Sequence, residues 1–151
     1  MLAQALFLIP VLAAAISDLL TRRIPNWLTG GLALFYLPVA MLDWPGLTEL
    51  GLHAATGALL LAAGFGLQVY RLIGGWDVKL LAAVGLWLGW HQLATLLVSI
   101  ALVGGGLSLF MLTMEMLASH FAVPLERKGV PYGVAIAAGA IISLHPVLTI
   151  I

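Results

Sequence analysis

The chain has 151 residues, 63% of them hydrophobic and 8% charged, with a mean hydropathy of +1.16; an average soluble domain is about 45–50% apolar and about 25% charged. That composition belongs to a membrane protein. At roughly 20 residues per span it allows at most about six or seven transmembrane helices, so one membrane-embedded domain over residues 1–151 is expected, with no separate soluble module. The formal net charge is zero and there is no cysteine, which excludes a basic nucleic-acid surface, disulfides, thiolate metal sites and a cysteine nucleophile.

In chain order, charges and Pro/Gly clusters mark out about six apolar stretches. The first, near Leu2–Leu20, has no cation ahead of it; Arg22 and Arg23 follow it. It therefore reads as a retained first helix that starts outside, not as a cleaved signal. The second and third lie near Trp27–Leu42 and Leu50–Tyr70. The fourth, Val78–Trp90, has about thirteen residues and spans about 20 Å, against about 30 Å for the hydrocarbon core. With Trp90 at the outer interface, Asp77 falls at membrane depth, where irregular backbone needs a cavity and a carboxylate is a functional candidate by default. The fifth, Leu93–Leu117, holds Gly104, Gly105 and Gly106, which can bend it or let a neighbouring backbone approach, as can Gly85 and Gly89 in the fourth. The sixth is near Gly133–Ile150.

Threading these stretches in and out puts the loops Thr21–Asn26, Arg71–Asp77 and Ser119–Tyr132 on one face, with Asp43–Glu49 and Trp90–Gln92 on the other. All six cations, Arg22, Arg23, Arg71, Lys79, Arg127 and Lys128, then fall on the first face, which makes it cytoplasmic and leaves both termini outside. The five tryptophans lie near predicted ends, as interfacial aromatics do.

Six acidic residues remain to be sorted. Asp43 and Glu49 read as outer-loop charges, and Glu126 as a partner of Arg127 and Lys128. Glu115 either snorkels to the inner interface or lines a cavity there. Asp18 ends the inward-running first helix and Asp77 begins the outward-running fourth, so both carboxyls reach the same inner layer. Two facing carboxyls, one ionised and one protonated, can take a proton from water and polarise a carbonyl, as in aspartic proteases. The plainer readings are an i,i+4 ion pair of Asp18 with Arg22 and a helix N-cap for Asp77. Lys79 sits in a first helical turn against the macrodipole, so it needs a partner: Asp18, Glu115 or an acidic substrate residue. His53, His91, His120 and His145 show no metal-ligand spacing, and no metal or other cofactor is expected.

Three segments, SDLLTRRIPNWLT at Ser17–Thr29, GGWDVKLLAAVGLWLG at Gly74–Gly89 and GVPYGVAIAAGAI at Gly129–Ile141, together resemble the type IV prepilin peptidase family, most closely its short members serving tight-adherence (Flp-type) pili. The resemblance implies an all-α integral protein of the bacterial inner membrane, a GxGD-type aspartic-protease-like helical bundle. Its implied activity is removal of the basic leader from prepilins at the cytoplasmic membrane edge, just before the pilin's hydrophobic helix. Asp18 and Asp77 occupy the positions of the family's two catalytic aspartates. Gly74, Gly75, Trp76, Lys79, Pro131 and Tyr132 are candidates for binding substrate or shaping the site, and the pilin helix is expected among the first, fourth and sixth helices. The implied partners are the prepilin and membrane lipid, with room for the pilus-assembly machinery and none for nucleic acid. Longer relatives carry a cysteine-bearing zinc element and an N-methyltransferase activity. Here the Thr21–Asn26 loop is far too short for that segment and there is no cysteine, so methylation of the new N-terminus is not expected. One departure stands out: the family's G-x-G-D reads Gly74, Gly75, Trp76, Asp77, with Trp where the second Gly belongs. Two other classes remain open, a proton- or ion-coupled carrier using the same aspartates and a pilus-assembly scaffold without activity.

Overall fold

The computed structural model describes residues 2–120 and 129–148, and every regular element among them is helical. These are α1 (Leu2–Thr21), α2 (Asn26–Leu42), α3 (Leu47–Val69), α4 (Gly75–Leu88), α5 (Leu93–His120) and α6 (Tyr132–Leu148), with a single 3-10 turn at Trp90–Gln92. Each apolar stretch has become one helix. By length and composition, α1, α3 and the Trp90–Ala118 segment can each cross a membrane, while α2 and Tyr132–Leu144 are apolar but shorter.

Helix α4 starts at Gly75, ahead of the expected Val78. Its cap is Gly74, in an extended conformation (φ −72°, ψ 143°), and the Asp77 carboxyl hydrogen-bonds back to the Gly74 backbone. This is the arrangement in which a third-position acid reaches the capping residue's N–H. Asp77 is therefore the third residue of the helix, not its cap. At the other end, Gly89 stops α4 with φ +70°, and a Cβ there would also strike the His53 ring at 2.6 Å. Both the backbone angle and the space require glycine.

Helices α1, α2, α4 and α6 pack on one another, α3 covers α4, and α5 covers α6. Their shared core is apolar, built from Phe7, Val11, Leu32, Leu80, Val84 and Ile136. Large apolar side chains also cover the outside, Leu20, Leu42, Val69 and Leu102 among them, which is the surface a lipid environment favours. Glycines bring α3 and α4 together: a Cβ at Gly64 would lie 2.7 Å from Val78. In α5, Gly104 meets Ala135 of α6, whereas Gly105 and Gly106 face open space and the helix runs on unbroken. Trp87 departs from the interfacial expectation. It turns into the bundle, lies tilted against Phe7 with ring centres 5.4 Å apart and donates its Nε1–H to the Leu32 carbonyl at 2.6 Å.

The links alternate between the two ends of the bundle. Residues 43–46 and 89–92 share one end, joined by the His91–Glu49 contact at 3.5 Å; residues 22–25, 70–74 and 129–131 share the other. Arg22, Arg23, Arg71 and Lys79 all lie at this second end. The expected ion pairing of Glu126 with Arg127 and Lys128 lies outside the described residues.

Candidate active site

Asp18 continues the buried stripe of α1, after Phe7, Val11, Ala14 and Ala15, and is itself only 6% exposed. A buried carboxyl is costly unless it finds donors. Here the donor is the backbone N–H of Gly133, 2.8 Å from Oδ2. Gly133 is the second residue of α6, so its N–H is one of the donors a helix start leaves unpaired, at the positive end of the dipole. A Cβ on Gly133 would lie 2.8 Å from Oδ2 and 2.9 Å from the Asp18 Cβ. Only glycine lets α6 approach this far.

Asp77 is brought to the same place by the start of α4. Gly74 stands behind it as Gly133 stands behind Asp18: a Cβ on Gly74 would meet Asp77 Oδ2 at 2.8 Å. Two helix N-termini, those of α4 and α6, thus converge on the two carboxyls, which favours one negative charge held between them. Both aspartates line a cavity of about 140 Å³, together with Arg22, Gly74, Trp76, Gly129 and Val130. A cavity of this size has room for several waters. It adjoins a wider cleft of about 560 Å³ that shares Gly74, Asp77, Gly129 and Val130 with it and extends over Gln68, Arg71, Gly75 and Tyr132.

The remaining candidates are distributed around this pair. Gly75 admits the Gln68 amide, which a Cβ would meet at 2.7 Å. Trp76 lines the cavity from the second position of α4, where the backbone is helical. That position makes no demand for glycine's extra freedom; the close approaches are at Gly74 and Gly75. Lys79 points away from the carboxyls. Its ammonium donates to Asn26 Oδ1 at 2.9 Å and lies 5.5 Å from the centre of the Trp76 ring, so its partner is an uncharged amide and an aromatic face, not Asp18 or Glu115. Tyr132 lines the wider cleft, while buried Pro131 precedes α6 and accepts the Val134 N–H at 3.2 Å. Glu115 is absent from the cavity lining.

Arg22 does not form the i,i+4 ion pair with Asp18 that its spacing allows. Its backbone is left-handed (φ 55°), ending α1 with the N–H still bonded to the Asp18 carbonyl at 2.9 Å. For a residue other than glycine this costs on the order of 1–3 kcal/mol. The turn swings the guanidinium into the cavity lining, where Nη1 donates to the Gly129 carbonyl. Among the described residues, no three potential ligands among His, Asp and Glu cluster closely enough to hold a metal.

The sequence pattern gives Gly133 no role and Arg22 only that of an ion-pair partner. A glycine in the first turn of α6, where helix propensity disfavours it, was the available signal for the first. Nothing in the spacing signals the second.

The sequence model of the type IV leader peptidase family matches residues 5–109. That span includes Asp18, Asp77 and the Gly74–Gly89 segment but stops short of the Gly129–Ile141 segment. No curated protein and no solved structure matches the chain.

Proposed function

Because the chain belongs to the type IV leader peptidase family, we propose that it is an aspartic endopeptidase of the bacterial inner membrane that cleaves the basic leader from Flp-type prepilins at the cytoplasmic edge. The observation that carries this reading is that Asp18 and Asp77, far apart in the chain, line one small cavity backed by two helix starts. Six spans with both termini outside would place that cavity at the inner face, where Arg22, Arg23, Arg71 and Lys79 also lie.

The chemistry follows from a pair that holds one proton between two carboxyls. The ionised carboxylate takes a proton from water as the water oxygen bonds to the scissile carbonyl carbon. The protonated carboxyl gives its proton to the carbonyl oxygen, and a neutral gem-diol forms. In the second half, a gem-diol hydroxyl returns a proton to the carboxylate while the other carboxyl protonates the amine nitrogen, and the C–N bond breaks. The pair ends with the single proton it began with, and no metal enters any step. The wider cleft over Gly74, Gly75 and Tyr132 supports entry of an extended chain, and Trp76 lines the smaller cavity beside the two aspartates.

Incubating the purified protein in detergent with an Flp-type prepilin tests this reading. The expected product is a pilin whose new, unmethylated N-terminus lies just ahead of its hydrophobic helix, identified by mass spectrometry. An intact prepilin under conditions where the protein is folded would refute it, and is what a carrier or an inactive scaffold would give.

A further inference from the structure

We propose that Arg22 is a further catalytic residue of this site, its guanidinium donating the Nε–H to the scissile carbonyl oxygen as negative charge develops there. The inference rests on the peptidase reading above. Three independent features of the molecule support it.

The first is backbone strain that the surroundings hold in place. Arg22 is left-handed without being glycine, and the turn is clamped by Ser17 Oγ and Thr21 Oγ1, which both donate to the Arg23 carbonyl at 2.8 and 3.1 Å. Unfavourable backbone held this firmly is concentrated at functional sites. Its effect here is on side-chain direction. Arg23, the next residue, is exposed and lines neither the cavity nor the cleft, whereas Arg22 lines the cavity with both aspartates.

The second is the state of the guanidinium's donors. Nη1 is fixed on the Gly129 carbonyl, which sets the plane of the group. Nε is buried and has no hydrogen-bond partner among the described residues. A buried donor without a partner is expensive; Arg22 lines the cavity that holds both aspartates, so a substrate carbonyl that displaced the atoms covering Nε would relieve that cost.

The third is electrostatic. Arg22 and Asp18 influence each other, yet no ion pair within 4 Å joins them among the described residues. The cation therefore lies near Asp18 without being paired with it. A carbonyl oxygen over the pair would be flanked by a carboxylic acid on one side and the Nε–H on the other, the arrangement that stabilises a developing oxyanion.

The test uses the full-length protein in detergent and two peptides. One has a lysine-rich leader, a glycine at the scissile bond and an apolar helix; the other is the same peptide with a statine-type hydroxyl carbon replacing the scissile carbonyl. Arg22→Gln removes the cation, while Arg22→Lys retains a charge that can still reach Gly129 but has no Nε–H. For Arg22→Gln, kcat should fall about 100-fold with KM within threefold of wild type. The affinity for the statine peptide should fall by about the same factor as kcat/KM, and Arg22→Lys should lie between. A residue that only tethers Gly129 would leave the ratio of statine affinity to KM unchanged in both variants, and that result overturns the inference. If Arg22→Gln does not fold, Arg22→Lys decides alone: kcat and statine affinity both within threefold of wild type also overturn it. Failure of the wild-type protein to cleave the first peptide is a different outcome, since it refutes the peptidase reading itself.

Discussion

Replacing Gly133 by alanine puts a single methyl between α6 and Asp18. The new Cβ would sit 2.8 Å from Oδ2, whereas ordinary van der Waals contact begins near 3.4 Å. Either the carboxyl or the helix start must move by the difference, about 0.6 Å. Movement of α6 is resisted by its contacts with α1, α4 and α5, so the carboxyl yields and its hydrogen bond to the Gly133 N–H weakens. A bond to a charged group is worth about 1.5–3 kcal/mol, and losing half to two thirds of it corresponds to roughly a tenfold loss of rate. Misplacement of a reacting group by 1 Å costs about 100-fold, so a shift of this size adds up to another tenfold. Cleavage by Gly133→Ala should thus fall about 10- to 100-fold, measured as initial rates of prepilin processing in detergent. Gly105→Ala is the control: nothing lies within 4 Å of that position, so activity should be unchanged and the helix stabilised by up to about 1 kcal/mol. Wild-type rates from Gly133→Ala would refute the claim that the start of α6 sets the position of Asp18.

Trp76→Gly should leave cleavage intact or raise it, because the backbone there is already helical. Its cost is in stability: the contact with the Lys79 ammonium, about 0.5–1 kcal/mol, and up to about 1 kcal/mol of helix propensity, both read from the thermal midpoint. The dependence of kcat/KM on pH should be bell-shaped, because a pair sharing one proton works only with one carboxyl ionised; a flat profile over the range in which the protein stays folded would contradict this. Since the chain has no native cysteine, single thiols report topology directly. Arg23→Cys and Arg71→Cys should resist an impermeant reagent in intact cells, while Thr48→Cys and His91→Cys should react with it.

Much of the architecture was legible because lipid imposes a simple rule on sequence. Long apolar stretches interrupted by charge or Pro/Gly clusters have to be helices there, and each of the six stretches is one. The convergence of Asp18 and Asp77 followed from counting crossings alone. What could not be read were the contacts that depend on side-chain direction over a few ångströms. Arg22 lies four residues after Asp18, the spacing of a helical ion pair, but the helix stops one residue too early and the left-handed turn sends the side chain elsewhere. Lys79 found a neutral partner in Asn26, a residue with no charge to draw attention to it. Trp76 departs from the G-x-G-D pattern, and the pattern does not show that its backbone is helical. Gly133 matters through the atom it lacks, a property that becomes visible only when the neighbouring carboxyl is in place.

The central claim is that Asp18 and Asp77 act as one proton-sharing pair. Asparagine at either position keeps the size of the side chain but removes the carboxyl that can give up and take a proton. Processing of an Flp-type prepilin by Asp18→Asn and by Asp77→Asn, followed by gel shift with helicity and detergent elution as folding controls, should be abolished in both while the proteins remain folded. Near-normal processing by either variant would contradict the account and return that aspartate to a structural role.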